Sequence, residues 1–269
     1  MTSFFDEETS IEPNGDGSWR TELSAQWNIG DNPNGGYAAS ALLRSLSASV
    51  PHSAPLSVTS HFQRPALGDR AGTIEVEVVR AGRLTSTATG RLLQGDKERI
   101  RSIATFGQLD GDARTGTTVS FPPVSLPDPD ACRSRDTLAQ GIDLPIMSRL
   151  DVRLDPELAE PGVAGRAEMA GWIRFRDEAP VTAGALPLFC DAFPPSLFGL
   201  LGRVGWVPTL ELTVHVRAIP VPGWIRARFE TRDLAGGFLI EDGVLWDEAG
   251  SVVAQSRQLA LLRTDGSDS

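Results

Sequence analysis

The sequence predicts an α+β chain made of two antiparallel sheets, each wrapped around one central helix. Three observations carry that expectation. A helix-length stretch in the first fifth of the chain is apolar on almost every side. Strands of period two follow it in series. The same order, strands and one apolar helix and then more strands, begins again in the second half.

The chain has 269 residues, 41% of them hydrophobic, enough to bury a substantial core. Its formal net charge is −10, which speaks against general nucleic-acid binding because no basic footprint is present. A local arginine cluster could still hold an anion. Cys132 and Cys190 are the only cysteines; two do not make a disulfide framework, and both are expected as free thiols in a reducing compartment. The first residues, MTSFFDEETS, have neither the basic nor the apolar region of a signal peptide, and no run of about 18 apolar residues occurs. A cytoplasmic protein with no membrane or nucleic-acid partner is the expectation.

Residues 19–30 read as strand and turn. NPNGG (32–36) is a turn, and a helix is expected from about Gly36 to Ser49, closed by Pro51. Its small or apolar positions, among them Tyr37, Ala38, Ala41, Leu42, Leu43 and Leu46, leave only a narrow polar edge, so it belongs inside a core. Strands are expected at 56–65, 72–82, 86–94 and 98–107. In the second of these Ile74, Val76 and Val78 share one face and Glu75 and Glu77 the other. Residues 110–131 have the Pro-, Asp- and Gly-rich composition of a linker. Strands at 149–156 and 165–178, a short apolar helix at 190–202, and strands at 209–220, 223–237, 238–247 and 251–262 complete the pattern.

The second half repeats the first. Thr59-Ser60-His61 matches Thr213-Val214-His215, and Ala81-Gly82 matches Ala235-Gly236 at the same shift; Gly90 and Gly243 match with a one-residue slip. The expected division is an N-terminal repeat over 1–112, a linker over 113–143 and a C-terminal repeat over 144–269. A sheet curled around its own helix explains why that helix has no face for water. The arrangement is the hotdog fold, here a double hotdog. Gly35 and Gly36 permit unusual backbone angles and leave the N–H groups of the helix start open to a ligand oxygen.

NPNGGYAASALLRSL, SVTSHFQRPALGDRAGTIEVEVVRAGR, FCDAFPP, TLELTVHVRAIPVPGW and WDEAGSVVAQSRQLAL, in that order, resemble the thioesterase-like superfamily, nearest the double-hotdog acyl-CoA thioesterase II group. The resemblance covers nearly the whole chain outside the linker. It implies hydrolysis of acyl-CoA thioesters with no metal and no cofactor. It also implies a catalytic set of Asp, Thr and Gln, which falls on Asp191, Thr209 and Gln258, with Thr213 as the alternative threonine.

The residues bear on that set unequally. Asp191 precedes Pro194 and Pro195 and reads equally as an ordinary N-cap of the helix expected there. A helix start would favour its charged form and burial would oppose it. Gln258 shares a strand face with Val252, Ala254 and Leu262, the expected inner face, where an amide must find a partner. Thr209 falls with Glu211 and Thr213 on the polar face and reaches the site only if the strand bends. In the first repeat Gln258 corresponds to Ala104 or Thr105, and the slot of Asp191 corresponds to Gly35-Gly36-Tyr37, so one working site per chain is expected. Gly35, Gly36 and Tyr37 are then candidates for an oxyanion or substrate site. A tight turn that simply needs glycine is the rival explanation.

Other chemistries fit less well. His52, His61 and His215 have no metal-ligand spacing. There is no Gly-x-Ser-x-Gly elbow and no dinucleotide fingerprint. The partners expected are an acyl-CoA substrate and further copies of the chain, since hotdog sheets have free edges. Arg64, Arg80 and Arg83 are candidates for the CoA phosphates. A non-catalytic acyl-CoA or acyl-chain binding protein is the alternative function.

Overall fold

The computed structural model describes residues 3–52, 54–109, 119–137, 142–204 and 207–262. The expected boundary at residue 112, residues 113–118 and 138–141 of the expected linker, and Gly205 lie outside them.

Helix α1 is Phe4–Glu8, and strands β1 (Glu12–Pro13), β2 (Trp19–Leu23), β3 (Asn28–Ile29) and β4 (Asn32–Pro33) follow. Helix α2 (Gly35–Ala48) leads to β5 (Ala54–Phe62), β6 (Arg70–Ala81), β7 (Ser86–Gln94) and β8 (Lys97–Gly107). The second half has β9 (Arg133–Ser134), β10 (Leu150–Leu154), β11 (Glu168–Phe175), α3 (Leu186–Asp191) and α4 (Phe198–Leu201). It ends with β12 (Thr209–Val216), β13 (Ile225–Ala235), β14 (Phe238–Trp246) and β15 (Val252–Leu261). All but β3 and β4 join one 13-stranded sheet, in the order β1-β2-β6-β7-β8-β5-β12-β15-β14-β13-β11-β10-β9.

That order is a double hotdog. The run β2-β6-β7-β8-β5 in one repeat is matched by β11-β13-β14-β15-β12 in the other, and each repeat carries its helix in the same slot. The repeats join through β5 and β12, which pair antiparallel. Thr59 lies opposite Thr213, and their hydroxyls are 2.9 Å apart. His61 faces Glu211 while Ser57 faces His215. Equivalent residues therefore meet across a local two-fold axis, which is what a duplication closed by its own central strands produces.

Helix α2 is capped by Asn34, whose Oδ1 accepts from the Tyr37 N–H at 2.9 Å. Its residues from Gly36 to Leu43 are all buried against the sheet and α3. Arg44, on the narrow polar edge, pairs with Asp6 of α1 at 2.6 Å. Gly90 in β7 lets α2 approach, since a Cβ there would come within 2.8 Å of Leu46. Val78 is exposed, unlike Ile74 on the same face, although it keeps its register opposite the buried Ala88; the irregularity in β6 follows it, between Val78 and Arg80.

The segment before β9 is strapped across the C-terminal sheet. The Trp246 Nε1–H donates to the Phe121 carbonyl at 3.1 Å, Arg226 Nη1 to that of Val124 at 3.1 Å, and Trp172 Nε1 to that of Pro127 at 2.9 Å. Both cysteines are free thiols, and both are buried. No helix among the described residues is long and apolar enough to cross a membrane.

Candidate active site

The helix expected at 190–202 is corrected. Helix α3 ends at Asp191, the chain then turns, and only Phe198–Leu201 is helical again. The prolines explain the break. Pro194 has no N–H to continue a helix, and its ring would meet the carbonyl of residue 190. Pro187, by contrast, sits in the first turn of α3, where proline is tolerated.

Asp191 is therefore not the N-cap of its own helix. Its carboxylate instead reaches the N-terminus of α2, in the other repeat. Oδ2 accepts from the Gly36 N–H at 2.8 Å and from Asn34 Nδ2 at 2.9 Å. The same Asn34 amide also donates to the Asp191 carbonyl at 2.8 Å. Asn34 thus caps α2 with its oxygen and clamps Asp191 with its nitrogen. The approach requires glycine: a Cβ on Gly36 would lie 2.2 Å from the Pro187 carbonyl oxygen and 2.8 Å from the Asp191 Cβ.

Burial wins over these donors. It pushes the Asp191 carboxyl up to about 6, and the negative charge of Glu241 adds to the rise, while the Gly36, Asn34 and Gly35 donors pull the other way. The Asn34 and Gly36 bonds both fall on Oδ2.

Gln258 lies on the inner face of β15 with Ala254, Ser256 and Ala260, all buried, while Arg257 points to solvent. Its Oε1 accepts from the Thr209 hydroxyl at 2.9 Å, and its Nε2 donates to Glu241 Oε1 at 2.6 Å. One amide hydrogen and one oxygen lone pair remain for a further partner. Thr209 joins the inner face because β12 has a bulge. Thr209 pairs with Ala260 and Glu211 with Leu259, so Leu210 is the extra residue and the alternation restarts. Thr213 points away, to its hydroxyl partner Thr59.

Asp191, Thr209, Gln258 and Glu241 all line one cavity of about 360 Å³, whose walls are otherwise mostly apolar and include Phe62, Phe193, Phe198 and Phe229. Gly35 is at its edge; Gly36 and Tyr37 are not among its walls. Tyr37 is a structural residue. Its ring stacks on Trp27 at 4.9 Å, and its hydroxyl donates to the Glu8 carbonyl and accepts from the Ser24 N–H at 3.0 Å. The helix tip also differs from the expected oxyanion donor, because its Gly36 N–H already holds Asp191. Arg64 is at the rim of the cavity, whereas Arg80 and Arg83 are not part of it.

Three residues of the site are new relative to the sequence reading. Asn34 carried a signal, as asparagine at a helix cap. Glu241 carried one too, as a charged residue in register with Leu239 and Leu245 on an apolar face. Arg135 carried none: it comes from the expected linker, is fully buried, donates to the Ala192 carbonyl and adds a positive charge near Asp191. Among the described residues no cluster of His, Cys, Asp or Glu could hold a metal ion, and no histidine lines the cavity.

Comparison with known proteins agrees with this architecture. Residues 23–107 match the family described as acyl-CoA thioesterase N-terminal domain, and residues 126–262 match its C-terminal domain. The chain belongs to the acyl-CoA thioesterase family. It is similar to an uncharacterized protein of Mycobacterium tuberculosis, 28% identical over 90% of this chain and 89% of that one. It is also similar to the thioesterase-like protein TwmA of Talaromyces wortmannii, 25% identical over 97% and 92% of the two chains. Among solved structures, a "putative thioesterase II" from Thermobifida fusca superposes with a TM-score of 0.85, at 29% identity over 98% of each chain. A hot dog fold protein from Alicyclobacillus acidocaldarius, at 24% identity, gives a TM-score of 0.84 and attests the fold.

Proposed function

We propose that this thioesterase-family chain hydrolyses acyl-CoA thioesters to the free acid and CoA, and that the water is activated by Asp191 with Gln258 and Thr209. The observation that carries the reading is the convergence of a half-buried carboxylate and a pre-oriented amide on one apolar cavity. The Asp191 carboxylate takes one water proton, while the remaining O–H donates a hydrogen bond to the spare lone pair of Gln258 Oε1. The water oxygen bonds to the acyl carbon, the C–S bond breaks, and the CoA sulfur leaves with a proton returned from Asp191. Thr209 holds Oε1 in place by donating to it.

The α2 tip has a different role from the one its glycines suggested. Its partial positive charge and its Gly36 N–H act on the base and keep a desolvated carboxylate ionisable near neutral pH. The aromatic walls fit an acyl chain, and Arg64 at the rim is placed for a CoA phosphate.

Incubating the protein with acyl-CoAs of graded chain length and a thiol reagent tests the proposal. Release of free CoA by the protein, lost in Asp191→Ala, supports it. Tight acyl-CoA binding with no thiol released would make the chain a binding protein instead.

A further inference from the structure

Glu241 is the least expected group in the cavity. It is a buried carboxylate on β14, directly opposite Gln258 in the β14–β15 ladder. Each of its oxygens has a separate donor: Gln258 Nε2 at 2.6 Å on Oε1, and the Ser196 backbone N–H at 2.7 Å on Oε2. A carboxylate is the one side chain of this size that accepts at both ends. Burying it is unfavourable unless it is paired in this way, so an apolar residue would serve the core better.

The consequence falls on Gln258. An amide is nearly symmetric in shape, and its two ends differ only in what they bond. With Nε2 fixed on Glu241, Oε1 must face Thr209 and the cavity. We propose that Glu241 is a positioning residue that sets the orientation of the Gln258 amide, so that its oxygen, and not its nitrogen, meets the reacting water. This inference rests on the thioester-hydrolase reading of the site.

Glu241→Gln tests it, because that change keeps shape and removes one acceptor. The new amide keeps its one oxygen on the buried Ser196 N–H, which has no other acceptor there among the described residues, and its nitrogen then turns Gln258 over. Turnover then falls about 10- to 100-fold with KM changed less than about twofold. A second readout separates positioning from packing. Burial first, and the Glu241 charge after it, raise the Asp191 carboxyl; burial also raises Glu241 itself against the pull of its Ser196 and Gln258 donors, so where Glu241 is ionised removing its charge moves the acid limb of the rate profile to lower pH. The other ionisable groups around Asp191 are Arg135 from the linker and the Cys190 thiol beside it in sequence, which is pushed up to about 12 and stays protonated. Glu241→Asp keeps the charge and withdraws it by one methylene; it gives an intermediate loss with the acid limb unmoved, and it serves if the glutamine variant does not fold.

A third readout does not depend on turnover. In ¹⁵N-glutamine-labelled protein the Gln258 side-chain amide is protected from exchange, and Glu241→Gln removes that protection. Wild-type turnover, acid limb and amide protection in Glu241→Gln would overturn the proposal. If the wild type releases no CoA from any acyl-CoA, the hydrolase reading falls, and the amide-protection comparison still decides the role of Glu241.

Discussion

In the N-terminal repeat, α2 runs unbroken for 14 residues, and the sheet behind it presents the buried pair Ala88 and Ala104. In the C-terminal repeat the helix breaks at Asp191, and the matching sheet positions hold Glu241 and Gln258. The strand registers establish the match: Val58 lies opposite Ala104 as Leu212 lies opposite Gln258. The repeats thus share a topology and divide the work. One supplies an intact helix whose start polarises a carboxylate. The other gives up a continuous helix and an apolar inner face in order to supply the carboxylate and the amide. Neither repeat contains the whole site, because Asp191 takes its donors from Asn34 and Gly36 in the other copy.

Removing the acid breaks this contrast most strongly. Asp191→Asn is expected to lower kcat by about 10²- to 10⁴-fold, read from CoA release. The same change has an opposite effect on stability. The folded-state carboxyl titrates at about 6, above its ordinary 3.8, so it stabilises the protein while protonated and loses that contribution as pH rises through about 6. Thermal unfolding at pH 8 should therefore show Asp191→Asn as the more stable protein by up to about 3 kcal/mol, a gain that vanishes below pH 4.

Making the second repeat resemble the first is the next test. Gln258→Ala reproduces Ala104; it is expected to lower kcat about 100-fold and to cost about 1–3 kcal/mol of stability, because Glu241 loses its donor. Adding Glu241→Ala, which reproduces Ala88, is expected to recover part of that stability and none of the activity. Denaturant unfolding of both single variants and the double variant measures this non-additivity.

Gly36→Ala attacks the contact between repeats. Its methyl group would overlap the Pro187 carbonyl, so α2 and α3 must separate; about 1–3 kcal/mol of stability and roughly tenfold in kcat are expected to be lost. Gly95→Ala, with open space around its Cβ site, is the comparison, and should change activity little while paying only for its positive φ of 64°. Thr209→Val should have the smallest effect, a kcat loss of a few-fold, because Glu241 still holds the amide when the Oε1 donor is gone.

Most strands were legible because alternation and turn chemistry are local. The strand expected at 86–94 coincides with Ser86–Gln94, and the paired repeats follow from the recurring order. What stayed hidden depends on single irregularities or on distant contacts. The apolar run around FCDAFPP signals a helix, but not on which side of the prolines it lies. One bulge residue, Leu210, moves Thr209 to the opposite face, and strict period-two reading cannot show it. The Gly36–Asp191 bond joins residues 155 apart, so the glycines read as open donors although their position in the fold gives them a partner. Arg135 reaches the site through strap contacts that linker composition does not encode.

The pH dependence of acyl-CoA hydrolysis tests the central claim most directly. If Asp191, held at the helix start of the other repeat, is the base, kcat/KM of the wild type falls tenfold per pH unit below an apparent pKa of about 6, and Asp191→Asn shows no such limb and only residual turnover. A wild-type rate that is level from pH 8 down to about 4.5, or an Asp191→Asn protein as fast as wild type, would contradict it.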